Sequence, residues 1–155
     1  MEVISLPVDP EFFDMLNYSI CRAVNEALGK DGAESIFRKV GEINYGILKA
    51  KGEIKPSEDP LDTLEQIARY LERVGYMEKI EIKRVSDREL LLKMHGVSVL
   101  DSSVKLVDSG MAPSHYMTNL MFAALKEYGV EAELIDLGFD VEKNVVQEKW
   151  VLKGR

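Results

Sequence analysis

Few residues in this chain of 155 could do chemistry: two histidines, one cysteine and scattered serines and acids. His115 follows Gly110-Met111-Ala112-Pro113-Ser114, a loop feeding the start of a helix. Free N–H groups point outward at such a start, a common setting for ligand contacts. The plainer reading of His115 is a polar first-turn residue. His95 falls on a strand, on the face opposite Leu92 and Met94, which reads as surface. A hydrolase could draw on Ser102 or Ser114, His115, and Asp101 or Asp108. That chemistry needs a base touching the nucleophile and a third group orienting the base, and proximity in sequence does not provide it. There is no G-x-S-x-G elbow, no H-E-x-x-H or C-x-x-C pair and no calcium-loop acid ladder. Glycines 29, 32, 41 and 46 form no phosphate loop and suit close helix packing instead. Cys21 lies beside Ile20 and Val24 and reads as a small packed hydrophobe. The expectation is no catalytic residue, no metal and no cofactor.

Two features are less bland. Asn44 falls among Val40, Ile47 and Leu48 on an apolar helix face. A buried amide left without partners costs roughly 1–3 kcal/mol, so Asn44 either orients a ligand or bonds to neighbouring backbone. Further on, Met111, Met117 and Met121 accompany Tyr116 and Phe122. Methionine adapts to variable shapes and suits a pocket for a small hydrophobic molecule, although an ordinary core stripe has the same pattern.

The elements that must position these residues follow from period and punctuation. Residues 10–28 place Phe13, Leu16, Ile20, Val24 and Ala27 at helical spacing, with Asp9 as cap, Pro10 at the first position and Gly29 as stop. Residues 32–50 place Ala33, Ile36, Phe37, Val40, Ile47 and Leu48 on one face, with Asp31 and Glu34 as a capping box. Residues 60–74 form a third helix between Asp59-Pro60 and Gly75. The period then changes to two over 76–85 and 89–99, with a turn at Ser86-Asp87-Arg88, which predicts a hairpin. Residues 100–110 fit a short helix or a loop. A helix over 113–128 and a second hairpin, 130–139 with 145–153, complete the chain. The order is ααα-ββ-α-ββ. It predicts a single α+β domain over residues 1–155: a four-stranded antiparallel sheet with helices packed mainly on one face.

Composition narrows the partners. The formal charge of −7 repels phosphate backbones, so nucleic acid is not an expected partner. One cysteine permits no internal disulfide. The start, MEVISLPVDP, is short, lacks a basic start and contains prolines, so no leader is expected, and no apolar run approaches the roughly 20 residues that span a bilayer. The expected location is the cytoplasm, with no membrane partner.

Four stretches resemble one family. They are Gly41-Glu42-Ile43-Asn44-Tyr45-Gly46-Ile47-Leu48, the junction Val74-Gly75-Tyr76, the strand end Val99-Leu100-Asp101-Ser102, and Pro113-Ser114-His115-Tyr116 before an amphipathic helix and final hairpin. In order and length, over roughly residues 10–153, this layout looks like the 4-vinyl reductase-type domain. The resemblance implies the fold shared with ligand-binding domains of nitric-oxide signalling and Golgi transport. It implies binding of small hydrophobic molecules between helices and sheet, often by homodimers. By position it puts Asn44, Tyr45 and Tyr76 near the pocket. Many members hold zinc through cysteines in the last helix–hairpin unit. Here that unit has no cysteine and offers only His115, Asp136 and Gln147, a poor set for zinc.

The sequence therefore supports a non-catalytic binding module for a small hydrophobic or aromatic molecule, with Asn44, Tyr45, Tyr76, His115, Tyr116 and Met117 at the ligand. One alternative is an assembly module acting by homodimerisation and partner docking. The other is a small hydrolase or reductase using His115.

Overall fold

The computed structural model describes residues 7–154. Residues 1–6, where the reading of the N-terminal stretch mostly falls, and residue 155 lie outside the described residues. The elements are α1 (Pro10–Ala50), α2 (Pro60–Arg73), β1 (Lys79–Ser86), β2 (Glu89–His95), α3 (Leu100–Asp108), α4 (Tyr116–Glu127), β3 (Glu131–Asp140) and β4 (Val145–Lys153). The class is α+β, as expected.

Helix starts follow local chemistry. The Asp9 carboxylate accepts from the backbone N–H of Glu11 at 2.8 Å, and that of Asp59 accepts from Leu61 at 3.0 Å. Each is followed by proline in the first turn, where a missing N–H costs nothing. The two helices expected over 10–28 and 32–50 are the two arms of α1. They meet at Gly29, whose φ of 74° and ψ of 173° are open to glycine and nearly closed to other residues. The residue read as a stop is a corner. The helix resumes at once and absorbs Asp31. The stretch left open between helix and loop is α3. The next helix starts at Tyr116 rather than Pro113, because residues 111–115 form an irregular strap that carries the chain from α3 to α4.

The sheet is antiparallel throughout, in the order β1-β2-β4-β3. Its inner face carries Ile80, Leu90, Leu92, Met94, Val146 and Trp150, all buried against Leu64, Ile67 and Leu71 of α2 and Leu120, Met121 and Leu125 of α4. Each such side chain contributes roughly 1.5–3 kcal/mol on burial. The opposite face carries Glu81, Lys93 and Gln147 in register with one another, and His95 two positions beyond Lys93. His95 is there, its Nε2 2.8 Å from Oε2 of Glu81. A second, smaller core joins Cys21, Ala33 and Phe37 of α1 to Leu106 and Ala112.

One expectation is corrected. The apolar stripe assigned to the core on α1 is in large part outside: Leu16 is 44% exposed, Ile20 53%, Val40 44% and Ile47 44%. On the first arm the packing residues are Cys21 and Asn25; on the second, Ala33, Phe37 and Leu48 of the expected face are buried together with Gly41 and Tyr45. Close approach explains the choice. A Cβ on Gly41 would lie 2.5 Å from the backbone oxygen of Asn119 in α4, so this crossing requires glycine. Of the other glycines read as packing positions, Gly46 has open space around it. No helix among the described residues is long and apolar enough to cross a membrane.

Candidate functional site

Because the larger apolar stripe of α1 is left unpacked, its two arms bound an open groove with the end of α2. The groove has a volume of about 720 Å³. Phe13, Ile20, Phe37, Val40, Leu71 and Val74 make its apolar walls, Tyr76 and Tyr116 its floor, and Asn17, Cys21, Ser98 and Ser114 its polar points. Beneath it, between α4 and the sheet, lies a cavity of about 40 Å³ lined by His115, Met117, Thr118, Phe139 and Glu148 among others. Tyr76, Ser114 and Tyr116 line both spaces and form the partition between them.

Tyr76 is placed by the way α2 ends. Gly75 N–H bonds to the carbonyl of Glu72, and Tyr76 N–H to that of Leu71 at 3.0 Å, the paired closure of a Schellman motif. The Tyr76 ring then meets Phe13 edge-on, centroids 6.3 Å apart, and Tyr116 at 5.3 Å. Burial pushes the phenols of both Tyr76 and Tyr116 upward, that of Tyr116 to about 12, so both stay protonated. The Tyr116 hydroxyl donates to Oδ1 of Asn44.

The strap from residue 111 to residue 115 is held by Asn25, which the sequence reading missed. Its side-chain N–H donates to the carbonyl of Ala112 at 2.8 Å, and its Oδ1 accepts from the N–H of Ala112 at 2.8 Å. A lone amide one turn after Cys21 was the only signal in the sequence. At the end of the strap His115 adopts φ 42° and ψ 47°, a left-handed conformation that costs a non-glycine residue roughly 1–2 kcal/mol. Asn119 secures it, bonding with its side chain to the carbonyl of Ser114 and with its backbone to that of His115, both at 2.8 Å. Burial pushes the His115 imidazole below its ordinary 6.5, with Glu148 and then Glu34 opposing.

Glu148, also missed, sits on the inner face of β4 between Val146 and Trp150 and is only 3% exposed. The Thr118 hydroxyl donates to its Oε1 at 2.7 Å, with Oε2 at 2.9 Å, and the Trp150 indole N–H donates to Oε1 at 2.9 Å. Period two in β4 was the available signal, since it puts residues 146, 148 and 150 on one face.

The sequence-predicted residues divide three ways. Tyr76 and Tyr116 come together on the groove floor, with Asn44 joined through Tyr116. His115 and Met117 face the inner cavity. Tyr45 lies apart, in a recess with Lys49 and Ser57, its hydroxyl 3.2 Å from Oε2 of Glu127.

A hydrolytic arrangement is not assembled. The Ser102 hydroxyl donates to the carbonyl of Val99 at 3.1 Å and accepts from Asn17 at 2.9 Å. The Ser114 hydroxyl faces Oδ1 of Asn17 at 3.5 Å. Cys21 is 1% exposed, and burial raises its thiol pKa. Among the described residues no group of three or more His, Cys, Asp and Glu could hold a metal.

No family model matches the chain, and no curated protein matches it. Solved structures do. One is an oxygen-binding H-NOX domain related to soluble guanylate cyclases, in its oxygen complex. It shares 14% identity at a TM-score of 0.58, over 99% of this chain and 77% of that one. A structure concerned with modulating heme redox potential through porphyrin distortion shares 14% identity at a TM-score of 0.57, over 98% and 80%. The Fe(II) unliganded H-NOX protein from K. algicida shares 11% identity at 0.53, over 79% and 64%. This likeness is one of fold: the chain has the fold of H-NOX domains.

A haem does not fit the described residues. The cavity beside His115, at about 40 Å³, holds a water or two rather than the roughly 300–1,000 Å³ of a cofactor-sized site. Its buried charged group is the Glu148 carboxylate, and no lysine or arginine lines it to meet propionates. The groove is larger but offers iron only a protonated thiol and protonated phenols, and it too has no basic side chain in its lining.

Proposed function

We propose that this H-NOX-fold domain is a non-catalytic binding module for a small apolar or aromatic molecule seated between the arms of α1. The groove carries the reading. Its volume of about 720 Å³ falls within the roughly 300–1,000 Å³ typical of small-molecule sites. Ile20, Val40 and Val74 stand about half exposed along it, and a ligand would recover roughly 25 cal/mol for each Å² of apolar surface it covers. Tyr76, Tyr116 and Asn44 would set orientation at the floor. The resemblance to 4-vinyl reductase-type domains supports the class of ligand and the place of Tyr76, and the buried, unpaired cysteine is consistent with a cytoplasmic setting.

The test is displacement of Nile red from the full chain by ethylbenzene, followed by native mass spectrometry. Micromolar binding that Val40→Trp abolishes, without loss of unfolding midpoint, is the expected result. No binding to the wild-type chain sinks the reading.

One observation favours the assembly reading beside it. Ile36, Val40, Ile43 and Ile47 recur at spacings of four, three and four along the second arm of α1, each 42–55% exposed, a seam that suits pairing with a second copy. Sedimentation of wild type against Ile43→Glu separates the two: a dimer lost in the variant supports assembly, and a monomer at all concentrations removes it.

A further inference from the structure

We infer that the molecule bound in the groove carries a primary ammonium group, which passes between Tyr76 and Tyr116 into the inner cavity and pairs with Glu148. This rests on the groove reading above and adds the chemical class of the ligand. A hydroxyl carries one proton, so Thr118 and Trp150 together supply two donors to a carboxylate that has about four lone-pair sites. Among the described residues no lysine, arginine or histidine forms an ion pair with Glu148. A carboxylate that is 3% exposed and has no cation is costly unless its charge is met.

The space beside it has the size and the walls for that cation. At about 40 Å³ the cavity admits a group the size of a water or two. Tyr76, Tyr116 and Phe139 line it, and aromatic rings attract ammonium ions. His115 lines it with an imidazole kept neutral by burial, hence with an acceptor nitrogen for a second N–H. The two tyrosines border both spaces, and their rings, in contact with centroids 5.3 Å apart, must part for an apolar body in the groove to reach the cavity with its charged end. The charge of −7 on the whole chain draws cations and repels anions.

The experiment is calorimetric titration of the full chain at neutral pH with phenethylamine, 2-phenylethanol, ethylbenzene and phenethyltrimethylammonium. Phenethylamine is expected to bind about tenfold tighter than ethylbenzene or 2-phenylethanol. Phenethyltrimethylammonium, with the same charge but no N–H and a head too large for the cavity, should lose that advantage. In Glu148→Gln the amine should lose its roughly tenfold preference over ethylbenzene. The wild-type series decides the matter even if that variant fails to fold. Equal affinities for amine, alcohol and hydrocarbon, or an undiminished quaternary amine, overturn the inference and leave the groove reading intact. Binding of none of the four overturns both.

Discussion

The indole N–H of Trp150 donates across 2.9 Å to Oε1 of Glu148, two positions back along β4. Strand geometry puts both side chains on the inner face. Trp150 is fully buried and edge-on to Phe122, centroids 4.8 Å apart, so the ring is fixed and its donor must be answered inside the core.

Glu148→Ala should therefore destabilise the domain by orphaning the donors of Trp150 and Thr118, at roughly 1–3 kcal/mol each. Glu148→Gln keeps an acceptor and should cost less. Urea unfolding followed by the fluorescence of the chain's one tryptophan measures both. Equal stability of wild type and the alanine variant would refute this account of the carboxylate.

Two glycines on the same arm of α1 should respond with opposite signs. Gly41→Ala pushes a methyl against the backbone of Asn119 and should cost roughly 1–3 kcal/mol as overpacking. Gly46→Ala meets nothing and should stabilise by about 0.5–1 kcal/mol through lower unfolded-state entropy. A shared sign in denaturant unfolding would show that the α1–α4 crossing is not as close as described.

Asn25→Ala removes both halves of the clamp on Ala112 and leaves a buried backbone N–H and carbonyl to find other partners. The expected loss is about 1–3 kcal/mol. It should come with faster amide hydrogen exchange at Ala112 and weaker Nile red binding, because the strap presents Ser114 and Tyr116 to the groove. Unchanged exchange would assign the strap's order to something else.

The fold should weaken at both ends of the pH range. Burial holds the Tyr116 phenol at about 12 against an ordinary 10. A raised folded value means its contribution is complete below pH 10 and is lost as pH climbs from 10 through about 12. His115 has its pKa lowered by burial, so its contribution is present above 6.5 and is lost as pH falls through the folded value. Tyrosine absorbance and the imidazole carbon-bound proton resonances follow the two groups. A His115 that titrates above 6.5 would contradict the burial argument.

Much of the architecture was readable because it is written locally. Asp9-Pro10 and Asp59-Pro60 start helices through their own carboxylates and missing N–H groups, and the switch from helical period to period two marks where β1 begins. Tyr76 was singled out through the resemblance at the Val74-Gly75-Tyr76 junction, and Tyr116 through its place beside the methionines of the fourth helix. Glu148 and Asn25 were not. Each lies in a regular element, and its role comes from partners far away in sequence or across the core, such as Ala112 for Asn25 and Thr118 for Glu148.

The face of α1 shows where reading by period ends. By itself the sequence determined the α+β class, the helix starts at Pro10 and Pro60, a break at Gly29 and the alternation of the strands, since each depends on neighbours a few positions away. Period locates an apolar face on each arm of α1 but not which of its residues pack: Ala33, Phe37 and Leu48 are buried, whereas Leu16, Ile20, Val40 and Ile47 are exposed. Only the tertiary structure decided between them, because the choice turns on a backbone approach at Gly41 that admits no Cβ. That approach sets the side of α1 that meets α4 and leaves Ile20 and Val40 to line the groove beside Phe37.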